Sequence, residues 1–200
     1  MTDLDTLQII SSQLERGEIG SAQFLERIAR FMTGHIECSR AGVWFFIDTP
    51  AGRVLRCAAM HDAARDCMVG ARDVPNANIG PFFEALARDS CIVAPNARTH
   101  PALADLLGDY LVPLDIHSQL NICFSVNGVL LGIFSCEQVG ASKAWTQRHL
   151  RSLRQIGSHA SLMLMRAAAS VVDTAPGAMW DANNPNRLAT LPMPLEPEEP

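Results

Sequence analysis

The side chains with the widest chemical range in this chain are six cysteines, at positions 38, 57, 67, 91, 123 and 136, and six histidines. No two cysteines stand at zinc-knuckle spacing, and there is no Cys-x-x-Cys pair. Isolated cysteines of this kind read as reduced, buried small hydrophobes. A reactive thiol needs a cation or a helix N-terminus to depress its pKa. No basic residue lies within five positions of Cys123. No Ser-His-Asp arrangement, paired-carboxylate spacing or phosphate-cradling glycine loop stands out either. The chemistry expected is therefore binding, not catalysis.

The stretch best suited to binding runs from Gln119 to Glu137, two apolar β-prone runs around Asn127-Gly128. Asn-Gly is the strongest local signal for a two-residue hairpin, because both central positions of a type I′ turn need φ > 0. In that register, paired residue numbers add up to 255: Ile122 faces Ile133, and Asn121 faces Phe134. Gln119, Asn121, Cys123, Phe134 and Cys136 then share a mixed face suited to a pocket floor, with few polar groups orienting an apolar ligand. Asn121, both donor and acceptor, is the best orienting group. Leu120, Ile122, Leu131 and Ile133 form the opposite, aliphatic face, which packed helices require.

The elements that must hold this hairpin follow from periodicity. Leu4, Leu7, Ile10 and Leu14 predict a helix over 3–16, and Phe24, Leu25, Ile28, Phe31 and Met32 a second one, capped by Ser21 and stopped at Gly34. Strands over 41–47 and 54–60 flank turn residues 48–52. A loop, a short helix from Pro81, a short strand over 91–94 and a second loop lead to the hairpin. Thr146 can cap a long helix to about Val172, with Leu150, Leu153, Gly157, Ala160 and Leu164 on one stripe. Arg148, Arg151 and Arg154 make a second stripe, expected to meet solvent or an acidic partner. The fold class is α+β: an antiparallel sheet with helices packed on one side, the terminal helices covering its aliphatic face.

Three segments are expected: an N-terminal helical part over 1–37, the sheet domain with its long last helix over 38–172, and a tail over 173–200. Six of the twelve prolines fall in that tail, with Asp and Glu against one Arg187, a composition that predicts disorder. Trp180 and the set Leu188, Leu191, Met193 and Leu195 suit a short partner-binding motif within it. The apolar stripes of the terminal helices exceed what one sheet face covers, so a helical homodimer is expected. Net charge of −5 and a pI near 5.6 argue against nucleic acid. Mean hydropathy is +0.09, and no apolar run is long enough to span a membrane. With no signal segment, the expected location is the cytoplasm.

Several segments, in this order, resemble the GAF domains of bacterial sensors. They are Arg40-Ala-Gly-Val-Trp44, Pro81-Phe-Phe-Glu-Ala-Leu86, Tyr110-Leu-Val-Pro-Leu-Asp-Ile116, the run from Gly128 to Glu137, and Trp145 in Lys-Ala-Trp-Thr. The resemblance covers roughly Arg40 to Leu164. It implies a central antiparallel sheet of five to six strands, with terminal helices that form a dimer packed on one face and, on the other, loops and short helices over a small-molecule pocket roofed by His100, Tyr110 and His117. It also implies a sensory role, with an unidentified small ligand and a partner signalling protein. Such domains often carry Asp where Asn121 stands, which here makes a cationic ligand anchored at that position less expected. A covalent bilin resembles a Cys-His pair, and the chain has none; haem needs an axial side chain, which only His100 or His117 would offer. Neither cofactor is expected. The competing readings are a scaffold without ligand and a cysteine redox sensor or methionine sulfoxide reductase-like enzyme acting through Cys123 or Cys136.

Overall fold

The computed structural model describes residues 3–50, 52–70, 74–75, 80–126 and 129–174. The expectations about the tail and about the Asn127-Gly128 turn itself lie outside the described residues. Two helices open the chain, α1 (Asp3–Glu15) and α2 (Ser21–Ile36), followed by strands β1 (Arg40–Thr49) and β2 (Gly52–Asp62). Two-residue strands β3 (Cys67–Met68) and β4 (Val74–Pro75), helix α3 (Gly80–Asp89) and strand β5 (Cys91–Ala94) come next. Short 3-10 turns and a π-helical turn, Leu107–Leu111, lead to β6 (Ile116–Val126), β7 (Val129–Val139) and α4 (Gln147–Thr174).

The sheet is antiparallel with the order β3-β2-β1-β7-β6-β5, and β4 shares the outer edge of β2 with β3. Local rules account for most boundaries, with two corrections. Gly20, not Ser21, is the N-cap of α2, with no side-chain cap bond. Gly34 does not stop α2: the helix runs on to Ile36 and ends at Glu37, whose backbone is left-handed. Thr146 does cap α4: its Oγ1 accepts from the His149 N–H at 3.2 Å, and the Thr146 N–H donates back to His149 Nδ1 at 3.2 Å.

The two sheet faces carry two separate cores. On one face α1, α2 and α4 bury Leu7, Phe24, Ile28, Leu120, Ile122, Leu153 and Ile156. Gly157 brings α4 down onto β6, since a Cβ there would stand 2.7 Å from Ile122 Cδ1. Of the helical residues behind the expected dimer, Leu7, Ile10, Leu14, Leu150 and Leu153 are buried within this one chain, and Leu164 is half-buried. The opposite core gathers Trp44, Phe46, Met60, Phe82, Leu103, Leu111 and Ile133 beneath α3 and the 97–111 turns.

The central hairpin departs from the simple register. Val126 pairs with Val129 and Ser125 with Leu130, as the turn requires, but Phe124 pairs with Gly132. Leu131 is thus an extra residue in β7, a β-bulge that shifts most later pairs by one. Cys123 faces Ile133, Asn121 faces Ser135, and Gln119 faces Glu137. Gln119 and Asn121 still point away from the helices, and Leu120 and Ile122 toward them. Phe134 and Cys136 are reversed: both lie in the helix-covered core, and Ile133 belongs to the other face.

Candidate functional site

The register that buries Phe134 and Cys136 under the helices brings Glu137 onto the other face, beside Gln119 of β6 and Arg40 of β1. Glu137 is 1% exposed and anchors a continuous polar network. Arg40 donates to its Oε2 from Nε at 3.0 Å and from Nη2 at 2.6 Å. The Tyr110 hydroxyl donates to Oε1 at 2.7 Å, and Gln119 Nε2 to the same oxygen at 3.3 Å. Asn121 Nδ2 donates to Gln119 Oε1 at 3.2 Å, extending the chain of bonds along β6. Beside it, Trp44 Nε1 donates to Ser135 Oγ at 2.9 Å, and the Trp44 ring meets Tyr110 edge-on, with centroids 6.0 Å apart.

A buried carboxylate survives because charge and donors surround it. Burial works against the Arg40 charge, but the adjacent Glu137 carboxylate outweighs it and holds the guanidinium above its ordinary range. Burial, and next the negative charge of Glu137, push the Tyr110 hydroxyl well above the ordinary tyrosine range. The phenol is thus a fixed donor. A raised tyrosine pKa contributes stability fully present below the unfolded value near pH 10 and lost as pH rises through the folded value. Tyr110→Phe is expected to lower unfolding free energy by about 1.5 kcal/mol near neutral pH, the low end for a bond to a charged group. It should also flatten the decline in stability above about pH 10. Urea unfolding of both proteins across that range checks this; an alkaline decline equal to the wild type's would refute the Tyr110 assignment.

Arg40 and Tyr110 also form part of the wall of a cavity of about 1080 Å³. Its other walls come from the end of β2 and the following loop (Met60, Asp62, Arg65, Val69, Val74), from the 105–115 segment, and from Val139. The lining is mainly apolar, through Met60, Val69, Val74, Leu106, Pro113, Leu114 and Val139, and also includes Arg65, Asp62, Asp105, Asp109 and Asp115. Asp115 is already engaged: hydrogen bonds from Arg98 and His117 hold its carboxyl below the ordinary range. Asp62 Oδ1 accepts the Ala64 and Arg65 N–H groups.

This architecture and the matched segment agree, because a GAF domain model matches residues 22–164. The chain belongs to the GAF domain family. No curated protein matches it. Among solved structures, the GAF domain of the cyanobacteriochrome TePixJ is 18% identical, with a TM-score of 0.59, over 74% of this chain and 91% of that one. The photosensory core module of the Stigmatella aurantiaca phytochrome is 16% identical, with a TM-score of 0.64, over 84% of this chain and 37% of that one. The phycoerythrobilin-bound GAF domain of a cyanobacterial phytochrome is 12% identical, with a TM-score of 0.68, over 86% of this chain and 98% of that one. At such identities the likeness shows the fold alone.

Of the residues expected to form the site, only Tyr110 lines the GAF cavity. Gln119 and Asn121 lie behind it in the buried network. Cys123 lies farther along β6, packed against the loop-side core. Phe134 and Cys136 are on the helix side, and burial pushes the Cys136 thiol well above its ordinary range, with Cys38 beside it. His100 Nδ1 accepts from the Ala102 N–H, and His117 is held by Asp115. Neither histidine lines the cavity. Arg40 and Glu137 escaped notice as site residues because each stands near the end of an apolar strand; they are partners in the β1–β7 pairing, and the bulged β6–β7 register sets Gln119 opposite Glu137. Among the described residues, no cluster of His, Cys, Asp or Glu is placed to hold a metal ion, and no helix is long and apolar enough to cross a membrane.

Proposed function

We propose that this GAF domain is a sensory module that takes a small organic ligand in the cavity beside Tyr110 and signals to a partner protein. One observation carries the reading: a cavity of about 1080 Å³, mainly apolar, has in its wall a tyrosine and an arginine locked by a buried carboxylate. Fixed polar groups in an apolar cavity are what orienting a small molecule needs. The reading is of binding, not catalysis, since the network's polar groups are engaged with one another.

Bilin, the ligand of the phycoerythrobilin-bound neighbour, does not suit these residues. No cysteine is among the described lining residues, so covalent attachment lacks a thiol there. The carboxylates of a tetrapyrrole would meet Asp62, Asp105, Asp109 and Asp115 against Arg65 and an Arg40 already paired. Haem lacks an axial imidazole among the same residues.

Gly108 supplies the test. It lines the cavity, and a Cβ there would have nothing within 4 Å. Gly108→Phe therefore adds a bulky ring at the cavity wall with no clash at its Cβ. Wild-type protein, denatured after purification, is expected to release one small molecule in near-stoichiometric amount by mass spectrometry. The variant should release none and melt no lower than ligand-free wild type. If the wild type releases nothing and no compound in a metabolite panel raises its melting temperature, the sensory reading falls and a ligand-free scaffold replaces it.

A further inference from the structure

Shape is one property of the cavity beside Tyr110; charge is another. Among the described residues its wall carries four aspartates, Asp62, Asp105, Asp109 and Asp115, against two arginines, Arg40 and Arg65. Arg40 is shared between Glu137, bound at 2.6 Å, and Asp62, its cross-strand partner, so that group of three is net negative. Asp115 is engaged by Arg98 and His117. Arg65 is then the one remaining cation of the described wall, against Asp105 and Asp109. Neither of these aspartates has a hydrogen bond or ion pair with a described residue. Residues 71–73 bring one arginine and one aspartate, and 76–79 bring no charge, so the sequence between the wall elements leaves the balance as it is.

We propose, on the reading of this cavity as a ligand site, that its ligand is an organic cation: an apolar body carrying a protonated amine or quaternary ammonium group that meets Asp105 and Asp109. A cleft lined by one sign of charge between low-dielectric walls concentrates molecules of the opposite sign. Metal ions do not fit, because among the described residues no group of acids, histidines and cysteines is placed to hold one. The aspartates are instead spread around an apolar wall that includes Met60, Val69 and Leu106, which suits a cation with a large apolar body.

The turns that carry the two acids support the same assignment. Asp105 ends near the close of the turn Pro101–Leu106 and Asp109 lies within Leu107–Leu111, four residues on, with Gly108 between them. Like charges held this close on one wall repel, and a bound cation relieves that repulsion. An anion finds the reverse. The arginine that would hold it, Arg40, already has its charge taken by Glu137. The anchor lies on this loop wall and not at position 121 of the sheet, where Asn121 is bonded to Gln119.

Three probes that share one body test this on the full chain: phenylbutylamine, phenylbutanol and phenylbutyrate, titrated by calorimetry near neutral pH. In about 50 mM salt the amine is expected to bind about tenfold more tightly than the alcohol, and the carboxylate more weakly than either. Raising the salt to about 500 mM should remove most of the amine's advantage and leave the alcohol unchanged. Asp105→Asn with Asp109→Asn should bring the amine down to the alcohol's affinity without lowering the melting temperature, since both side chains are exposed. An alcohol or carboxylate that binds as tightly as the amine, and is lost in Gly108→Phe, overturns the cationic assignment and leaves the sensory reading standing with another ligand class. Amine binding that survives Gly108→Phe is adsorption to an acidic surface and overturns it as well. Absence of binding by all three probes, or release of a co-purified molecule without a cationic group, also overturns it; the sensory reading falls only by the release and panel experiment above.

Discussion

Glu137→Gln is expected to destabilise the domain by about 3–5 kcal/mol, lowering the melting temperature by roughly 10 °C. The substitution keeps the shape of the side chain and removes its charge, so the loss measures electrostatics and hydrogen bonding, not packing. Oε2 takes two bonds from Arg40, and Oε1 takes the Tyr110 hydroxyl and Gln119 Nε2. Turned toward Arg40, the new NH₂ meets donors; turned the other way, it meets Gln119 Nε2 and the Tyr110 hydroxyl must rotate to accept, and in both cases the Arg40 guanidinium loses its nearest counter-charge. Replacing both members of the pair should be milder than the separate losses imply. Arg40→Met with Glu137→Leu is expected to fall short of the summed single losses by about 2 kcal/mol, the coupling of neighbours in one network. Chemical denaturation of the four proteins closes the cycle. A Glu137→Gln protein melting within about 2 °C of the wild type would show that the network does not hold the Arg40–Tyr110 wall of the cavity.

The network also marks where sequence reasoning stopped. Alternation within one strand is a local property, so the faces of β6 were legible: Gln119 and Asn121 on one side, Leu120 and Ile122 on the other. The register between two strands is not local. β7 reads Val-Leu-Leu-Gly-Ile-Phe-Ser-Cys-Glu, in which both alternate sets are apolar over the first six residues, so hydrophobicity cannot choose between them. The pairs nearest Asn127-Gly128 are the expected ones, and the bulge at Leu131 then reverses which β7 residues accompany Asn121. Phe134 and Cys136 were misplaced for that reason alone, and Glu137 was overlooked with them. The helices were legible because apolar spacing over several turns is redundant, and the wrong stop at Gly34 cost only two residues. The cavity wall at 105–115 was not legible as a wall, because a π-helical turn that aims Tyr110 at Glu137 has no sequence signature apart from its tertiary partners.

The reason for the bulge leads to the second large effect. Gly132 lies between Phe124 of β6 and Phe45 of β1, its cross-strand partners. A Cβ built there would stand 2.0 Å from the Trp44 carbonyl oxygen and 2.7 Å from the Phe124 ring. The oxygen belongs to the backbone of a central strand and cannot move without disturbing the β1–β7 ladder. The ring is held in turn by Phe45, edge-on at 5.4 Å, and by Phe134, at 5.0 Å. Gly132 is thus the place where three strands close up, and Leu131 is the residue displaced so that a glycine can stand there. Gly132→Ala is accordingly expected to cost about 3 kcal/mol or more, at the upper end for overpacking, and Gly132→Val to prevent folding. Gly34→Ala is the control. Gly34 is exposed within α2, and a Cβ there meets nothing within 4 Å. The same added methyl group should therefore stabilise by about 0.5–1 kcal/mol, the helix-interior advantage of alanine over glycine. Parallel urea titrations of the two alanine variants decide the matter: opposite signs are required, and a Gly132→Ala protein as stable as the wild type would mean that the bulge is not where β1, β6 and β7 meet.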